Sequence, residues 1–373
     1  MAGVVGKLDE IATVDEVRME ITEYAKEAVV LLKNMICIPS FSREEDKVAD
    51  WLQRYIELQG YTVNRLKNNI WLMGPGFDAS RPTLLLNSHI DTVKPVQGWT
   101  HDPFRPISEG NKLYGLGSND AGASVVSLLQ VFFILSARPQ SYNLIYAATA
   151  EEEISGANGI ESLLKEMPEI DFAIVGEPTE MQMAVAEKGL MVLDCTSYGK
   201  SGHAAHGTGE NALYKAMDAI DWFRNYEFPL QTEFLGPVKM TVTQINAGTQ
   251  HNVVPDKCSF VVDIRSNEMY SNFELLDLIQ GFVDCRVTPR STRLSSTATP
   301  LSHPVVQQAK AMGRTLYGSP TLSDQALMPF PSVKMGPGKS KRSHTANEYI
   351  RIPEIEEAIG LYVNLLDGLK FGM

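Results

Sequence analysis

Residues 83–91 read TLLLNSHID, an apolar run that leads directly into a histidine and an aspartate. Its first half is a continuous apolar run, which is typical of a β-strand covered on both faces, as in a parallel sheet. Similar runs occur at Asn143–Thr149 and Phe172–Val175, and a helix is predicted over Ala121–Ala137, between the first two strands. Strands that alternate with helices predict an α/β fold whose sheet has parallel pairs at its centre.

Two further helices are expected before this sheet. Apolar residues recur at helical spacing over Val14–Met35, which predicts the first helix. Ser42 and Glu45 have the spacing of a capping box, so a second helix is expected to begin there. Gly60 follows Leu58 closely and predicts the end of that helix.

The order of predicted elements changes after Met183. Strands and helices then follow the order β-α-β-β-α-β, which is the ferredoxin-like arrangement. They are predicted at 190–197, 210–226, 238–246, 257–265, 272–282 and 285–288. We therefore expect an α+β domain at 185–291, inserted into a discontinuous α/β domain of 1–184 and 292–373. The last helices of the chain are expected near Val305–Tyr317 and Pro353–Leu369.

The composition limits the kinds of partner. The 373 residues include 45 acidic and 33 basic side chains, which gives a net charge of −12 at pH 7. This balance argues against nucleic acid and anionic membranes, because phosphate contacts need Lys and Arg. The apolar run Val125–Leu135 is too short to span a bilayer, and no signal peptide is expected. The 4 cysteines form no C-x-x-C pair, so we expect free thiols in a cytoplasmic protein.

Four acidic or histidine motifs follow predicted strands, where open α/β sheets place their sites. They are S-H-I-D at 88–91, a glycine-rich turn that leads to Asp120, Glu151-Glu152-Glu153, and G-E-P-T at 176–179. Alone, each has an ordinary structural explanation, such as a buried ion pair, a helix N-cap or a solvated turn. Together they would be strongly destabilising at one sheet edge unless their charge were neutralised.

A divalent metal is the simplest neutraliser of such a cluster. Nitrogen and oxygen ligands without thiolate suit Zn(II), Mn(II) or Co(II). In an extended segment residues i and i+2 point the same way, so Asp91 is placed to fix the tautomer of His89 for metal binding. A second histidine would complete two sites, and His344, in GPGKSKRSHT at 336–345, is the candidate.

The motifs S-H-I-D-T-V, G-x-G-x-x-D, A-T-A-E-E-E, G-E-P-T and G-P-G…S-H-T occur in this order. They resemble those of the M20 family of dinuclear zinc amidohydrolases and peptidases, over nearly the whole chain. Within the family, the sequence is most similar to the acetylornithine deacetylase and succinyl-diaminopimelate desuccinylase branch, including the acetylornithine-deacetylase-type proteins of Bacteroidetes. The resemblance implies a phosphorylase/hydrolase-like catalytic domain with a ferredoxin-like lid, through which such chains form homodimers.

The resemblance also implies roles for individual residues. Those that match the ligands of two divalent ions are His89, Asp120, Glu153, Glu177 and His344. Asp120 matches the bridging carboxylate, Asp91 the residue that orients His89, and Glu152 the general base. A slip of one residue would move the base to Glu151 and the ligand to Glu152. Many members carry Lys two residues after the bridging Asp, whereas this chain has Gly122.

The resemblance implies substrate-contacting residues in the lid, and the charge pattern suggests others near His344. His203 matches the lid histidine that stabilises the developing oxyanion, from the partner subunit. Asn252 and Arg265 match substrate contacts. Near His344 the chain has a basic cluster, composed of Lys339, Lys341 and Arg342. This cluster is either a solvated basic loop or a site for anionic groups of the substrate, since Arg and Lys bind carboxylates.

The implied reaction is hydrolysis of the amide of an N-acyl amino acid by a metal-activated water, with Glu152 as the base. N-acetylornithine, an intermediate of arginine biosynthesis, is the favoured substrate. Succinylcitrulline, succinylornithine and succinyl-diaminopimelate stay as alternatives, because a second carboxylate would occupy more of the three clustered cations. A di- or tripeptidase of the same family is also open. A non-catalytic binding protein is least expected, because no ligand is missing.

Overall fold

The computed structural model of the chain describes residues 14–371. Of these, 14–154, 176–181 and 336–371 belong to one compact unit (unit 1), and 155–175 and 182–335 belong to another (unit 2). The predicted domain boundaries, which separate 185–291 from the rest, divide the chain differently and stay a prediction.

Helices and strands occur throughout the described residues. The helices are α1 Val14–Ile36, α2 Asp46–Leu58, α3 Ala123–Ser136, α4 Ile160–Leu163, α5 Ala212–Asn225, α6 Asn272–Phe282, α7 Pro304–Ala311 and α8 Ile352–Leu366. The strands are β1 Asn64–Leu66, β2 Asn69–Met73, β3 Thr83–His89, β4 Ile107–Glu109, β5 Lys112–Tyr114, β6 Asn143–Thr149, β7 Phe172–Val175, β8 Met183–Glu187, β9 Gly189–Tyr198, β10 Gly202–His203, β11 Lys239–Ala247, β12 Val253–Val254, β13 Lys257–Ser266, β14 Arg286–Pro289, β15 Thr297–Ala298, β16 Leu316–Ser319, β17 Ser332–Lys334 and β18 Tyr349–Arg351.

Unit 1 is built on the strands β1, β2, β6 and β3, which are neighbours in that order. β3 and β6 are parallel and in register from Thr83 opposite Asn143 to His89 opposite Thr149. Every residue of both strands is buried, which confirms the prediction that their apolar runs are strands covered on both faces. β18, β5 and β4 form a separate three-stranded sheet.

The long apolar helix α3 lies in the core of unit 1. It contacts β3 and β6, and α1 and α8 pack against it. By length and composition Ser118–Ser136 could cross a membrane, but the whole segment is buried inside the protein. Its hydropathy is therefore explained by packing, because a helix that is apolar on every side belongs in a core.

Unit 2 contains two sets of strands. β7, β17, β8 and β15 are neighbours in that order, and β16 pairs with β8. The predicted ferredoxin-like segment is present as β9–α5–β11–β13–α6–β14, with the sheet order β11-β13-β9-β14. Leu193, Phe223, Phe260 and Leu275 are among the residues of its own hydrophobic core. The chain is thus a mixed α/β protein, as predicted, and the β-α-β-β-α-β order is confirmed.

Two helix boundaries differ from the sequence predictions. α2 begins at Asp46 without a side-chain cap, so the capping box at Ser42 and Glu45 was wrong; both side chains bond elsewhere, as described below. The helix predicted to reach Tyr317 ends at Ala311. Gly313 follows with φ of 75°, a left-handed conformation that ends helices, and the chain then enters β16.

Candidate metal centre

The candidate ligands of unit 1 lie at one end of its sheet. His89 is the last residue of β3, and Glu152 and Glu153 follow the parallel neighbour β6. The segment that carries Glu177 is attached to the same edge, because the N–H of Gly176 donates to the carbonyl of Asn87 at 2.7 Å. The carboxyl ends of parallel strands thus bring distant motifs together, as the sequence predicts.

The acidic turn after β6 is held by side chains from three other segments. Four successive backbone N–H groups, from Ala150 to Glu153, each donate to a side-chain oxygen. The first donates to Asn69 Oδ1 at 2.9 Å and the second to Glu45 Oε1 at 3.2 Å. The third and fourth donate to the two carboxylate oxygens of Asp91 at 3.0 and 3.1 Å. These bonds fix the directions in which Glu152 and Glu153 leave the backbone.

Asp91 orients the imidazole of His89. His89 Nδ1 lies 2.9 Å from the backbone carbonyl of Asp91 and 3.5 Å from its carboxylate, so Nδ1 is placed to carry the proton. The hydroxyl of Ser42 donates to the same carboxylate at 2.7 Å. Burial opposes ionisation of Asp91, but the contacts with His89 and Ser42 outweigh it and lower its pKa. This arrangement leaves Nε2 of His89 to face the cluster.

Nε2 of His89 points at three carboxylates. It lies 3.4 Å from Asp120 Oδ1, 3.7 Å from Glu177 Oε1 and 3.9 Å from Glu152 Oε2. It is buried and makes no hydrogen bond within the described part of the chain. Burial disfavours an imidazolium, yet the charges of Glu152 and Asp120 raise the pKa of His89 well above its ordinary value. The cluster therefore attracts positive charge.

His344 approaches the same cluster from the other side. Its Nε2 lies 2.9 Å from Glu153 Oε2 and 3.6 Å from Asp120 Oδ2. The bond to Glu153 is the largest reason why the pKa of His344 is raised to about 9. One oxygen of Asp120 thus faces His89 and the other faces His344, which is the arrangement expected of a bridging carboxylate.

Two groups of side chains present ligand atoms that all lie within 4.8 Å of one another. One group is His89, Asp120 and Glu153; the other is His89, Glu152 and Glu177. Glu151 is in neither group among the described residues, and its φ of 57° turns the chain. An imidazole nitrogen without a hydrogen-bond partner among clustered carboxylates fits a divalent ion such as Zn(II).

The loop that carries Asp120 is shaped by a buried glutamate that the sequence analysis missed. The carboxylate of Glu348 accepts the N–H groups of Gly117, Asn119 and Asp120 at 3.1, 2.8 and 2.9 Å. Burial, with the charge of Asp120, raises the pKa of Glu348 to about 8, whereas the three N–H bonds oppose that rise. The peptide bond after Asp120 is cis.

Gly122 has no room for a side chain here. A Cβ at this position would lie 2.5 Å from the carbonyl oxygen of Gly117. The close approach of Gly122 to Gly117 within one turn therefore favours glycine at this position.

A family model described as peptidase family M20/M25/M40 matches residues 85–368. The chain belongs to this family. A relative named acetylornithine deacetylase, from Proteus mirabilis, is 28% identical, covering 91% of this chain and 96% of its own length. A succinyl-diaminopimelate desuccinylase from Wolbachia pipientis is 23% identical, covering 91% of this chain and 92% of its own length.

Solved structures with the same fold agree with this assignment. An aminopeptidase from Bacillus cereus has a TM-score of 0.74 at 18% identity and covers 92% of this chain and 98% of its own. A dinuclear metal-binding peptidase of the M20 family, from Bacillus subtilis, has a TM-score of 0.69 at 16% identity, with the same coverage. The predicted family, fold class and hydrolase class are confirmed.

The basic cluster near His344 is largely engaged by carboxylates of the M20 chain itself. Arg342 is buried, and its guanidinium donates to both oxygens of Glu354 at 2.6 and 2.9 Å. It also lies over the ring of Tyr349, 4.5 Å from the centroid. Lys339 pairs with Glu180 at 2.6 Å on the surface, and Lys341 is exposed. The predicted role of these three residues in substrate binding stays a prediction.

The predicted lid residues lie in unit 2. His203, on β10, is opposite Val253 of β12, and the carbonyl of Asn252 accepts the N–H of Ala204 at 3.0 Å. The structure thus brings His203 and Asn252 into neighbouring segments. Arg265, on β13, pairs with Asp263 of its own strand at 2.9 Å. Their roles toward a substrate stay predictions.

Proposed function

We propose that the chain hydrolyses the amide bond of an N-acyl amino acid, with N-acetylornithine as the substrate. The observation that carries the proposal is the convergence of two histidines and four carboxylates in unit 1, namely His89, Asp120, Glu152, Glu153, Glu177 and His344. The relative named acetylornithine deacetylase, which covers 91% of this chain, supports the choice of substrate and a place in arginine biosynthesis.

Two divalent ions per chain, Zn(II) before Co(II) or Mn(II), are proposed as cofactors. His89 and Glu177 would hold one ion, Glu153 and His344 the other, and Asp120 would contact both. Such ions polarise the scissile carbonyl and lower the pKa of a water. The chemistry of the donor set supports this choice, since all the groups are imidazole nitrogens or carboxylate oxygens.

Glu152 is the proposed general base. Its Oε2 lies 3.9 Å from His89 Nε2, so it reaches the centre of the cluster, while its own N–H is anchored by Asp91. Glu152 would take a proton from the attacking water and deliver it to the departing amine. His203, from the partner subunit, would donate a hydrogen bond to the oxyanion.

The contacts of the basic cluster favour an acetyl over a succinyl substrate. A succinyl group adds a second carboxylate, which needs an additional cation. The guanidinium of Arg342 already donates two hydrogen bonds to the carboxylate of Glu354, and Lys339 forms an ion pair with Glu180. Lys341 is exposed and suffices for a single α-carboxylate. The relatives named succinyl-diaminopimelate desuccinylase, at 23% identity, keep the succinyl substrates as the second candidate.

The proposal is tested with a substrate panel on the zinc-loaded protein. The panel contains acetylornithine, acetylcitrulline, succinylcitrulline, succinyl-diaminopimelate and a dipeptide, with Glu152→Gln as the inactive control. We expect the highest kcat/KM for acetylornithine. A higher value for a succinylated compound would replace the acetyl assignment, and turnover of the dipeptide alone would make the chain a peptidase.

We also propose a cytoplasmic homodimer that forms through the ferredoxin-like segment. β11 is at the edge of the sheet of this segment, and Ile245 on β11 and Tyr214 and Met217 on α5 are exposed. Exposed apolar edge strands are prone to pair with another chain. Light scattering should give a dimer mass for the native chain and for the control Leu58→Lys, and a monomer mass for Ile245→Lys. A native monomer would refute the proposal.

A further inference from the structure

Two loops of unit 1 carry Asp120 and His344, and a side chain of the first loop joins them. Asn119 Oδ1 accepts the N–H of Lys339 at 3.0 Å. Its Nδ2 donates to the carbonyl of Lys339 at 3.1 Å and to the hydroxyl of Ser343 at 3.2 Å. The backbone before His344 is thus bonded to the residue before Asp120.

A second connection runs in the opposite direction, from Glu348 to the Asp120 loop. Glu348 is 2% exposed, and its Oε1 accepts the N–H groups of Asn119 and Asp120 while Oε2 accepts that of Gly117. These three bonds satisfy backbone N–H groups of a buried loop, which need acceptors. Both carboxylate oxygens of Glu348 are thus engaged by backbone N–H groups of the loop that carries Asp120.

The backbone that Glu348 holds carries the carboxylate between the two histidines. Asp120 Oδ1 is 3.4 Å from His89 Nε2, and Asp120 Oδ2 is 3.6 Å from His344 Nε2. A shift of the Asp120 backbone therefore moves one oxygen relative to His89 and the other relative to His344.

We propose that Glu348 is a positioning residue that fixes Asp120 between His89 and His344, so that its replacement weakens both metal sites together. This inference rests on the proposed dinuclear function. The role of Glu348 makes the affinities of the two metal sites interdependent. A substitution of Glu348 should lower the affinity of both sites, whereas a substitution of His344 removes a ligand from one site only.

Two substitutions separate positioning from general damage. Glu348→Gln keeps the shape of the side chain but replaces one accepting oxygen with an NH₂ group, which faces a backbone N–H. At least one of the three bonds is then lost. Glu348→Ala removes all three acceptors. Buried donors left without acceptors are unfavourable, so the loop must shift to find new ones, and the displacement of Asp120 should be larger for Ala than for Gln.

The experiment measures Zn²⁺ stoichiometry and dissociation constants on apoprotein, by competition with a chromophoric chelator. His344→Ala is the single-site comparison. Tyr142→Phe is the matched control, because it removes a buried hydrogen bond, from Tyr142 to the carbonyl of Leu366 at 2.9 Å, away from the ligands. We expect both dissociation constants to rise by about 10–100-fold in Glu348→Gln, one only in His344→Ala, and neither in Tyr142→Phe.

The metal-binding measurements distinguish failure of the Glu348 proposal from failure of the proposed dinuclear function. A native chain that binds fewer than two ions would overturn the dinuclear proposal itself. A native chain that binds two ions, with unchanged affinities in Glu348→Gln, would overturn the role of Glu348 alone, as would weakening of a single site. If Glu348→Ala does not fold, Glu348→Gln decides. The Co²⁺ absorption spectrum gives an independent readout, since positioning predicts altered ligand geometry in both Glu348 variants and not in Tyr142→Phe.

Discussion

Replacement of Arg342 by Met distinguishes a structural from a substrate-binding role for this residue. Met keeps much of the apolar stem but removes the guanidinium. The structure predicts that this change breaks two charge-assisted hydrogen bonds to Glu354, of 2.6 and 2.9 Å, and the cation–π contact with Tyr349. The expected main effect is therefore a loss of stability in the part of unit 1 that carries His344.

The size of this effect follows from the burial of the two partners. Breaking a buried ion pair by removing one partner costs about 3–5 kcal/mol. The side chains of Arg342 and Glu354 are 7% and 23% exposed, and Glu354 keeps a bond from the N–H of Arg351 at 3.0 Å. Both facts reduce the penalty for the remaining carboxylate, so we expect the free energy of unfolding to fall by about 2–3 kcal/mol.

The assay combines urea denaturation with steady-state kinetics for Arg342→Met, Glu354→Gln and the double variant. If the pair is structural, the double-mutant cycle gives a coupling free energy within about 0.5–3 kcal/mol, and KM for acetylornithine stays near the native value in Glu354→Gln. The reasoning is refuted if Arg342→Met leaves the denaturation midpoint unchanged and raises KM at least tenfold. That result would show that Arg342 binds the substrate.

Four further outcomes are expected. Glu152→Gln should lower kcat by about 10²–10⁴-fold without changing Zn²⁺ stoichiometry; native-level activity would refute the assignment of the base. Chelation should abolish turnover and refilling should restore it with two ions per chain, and a stoichiometry limited to one would contradict the dinuclear site. Gly122→Ala places a Cβ 2.5 Å from the carbonyl oxygen of Gly117. This change should lower the free energy of unfolding by about 1–3 kcal/mol, measured by thermal unfolding. An unchanged Tm would show that the loop relaxes. Asn69→Leu leaves the N–H of Ala150 without its acceptor. The free energy of unfolding, measured by urea denaturation, should fall by about 1–3 kcal/mol. An unchanged value would show that the turn does not depend on this bond.

The fold and the clustering of the acidic and histidine motifs were predictable, because both depend on apolar strand patterns and on the meeting of parallel strand ends at one sheet edge. The apolar runs of β3 and β6 identify buried strands, and parallel strands bring their carboxyl ends to one edge. His89 and Glu153 are therefore placed near each other without any knowledge of the tertiary structure. The sequence alone leaves the register of the acidic turn open, and the two groups of clustered side chains contain Glu152 and Glu153.

The supporting residues could not be predicted, because their partners are distant in sequence. Ser42 and Glu45 fit a capping box by spacing alone, but Ser42 bonds Asp91, 49 residues away. In the sequence, Glu348 has no feature that distinguishes it from other acidic loop residues. Its role follows only from its bonds to the N–H groups of the Asp120 loop. The sequence leaves the basic cluster that contains Arg342 as either a solvated loop or a site for anionic groups. It does not reveal that Arg342 bonds Glu354, which lies 12 residues later in α8.

The acidic turn after β6 also has a consequence for the order of assembly during folding. Its acceptors lie 81, 106 and 61 residues earlier in the chain, at Asn69, Glu45 and Asp91. Contacts of such high contact order form only after long loops have closed. A peptide that contains only the turn would therefore have no ion-binding geometry of its own. The proposed ions should therefore be bound only after the surrounding chain has collapsed.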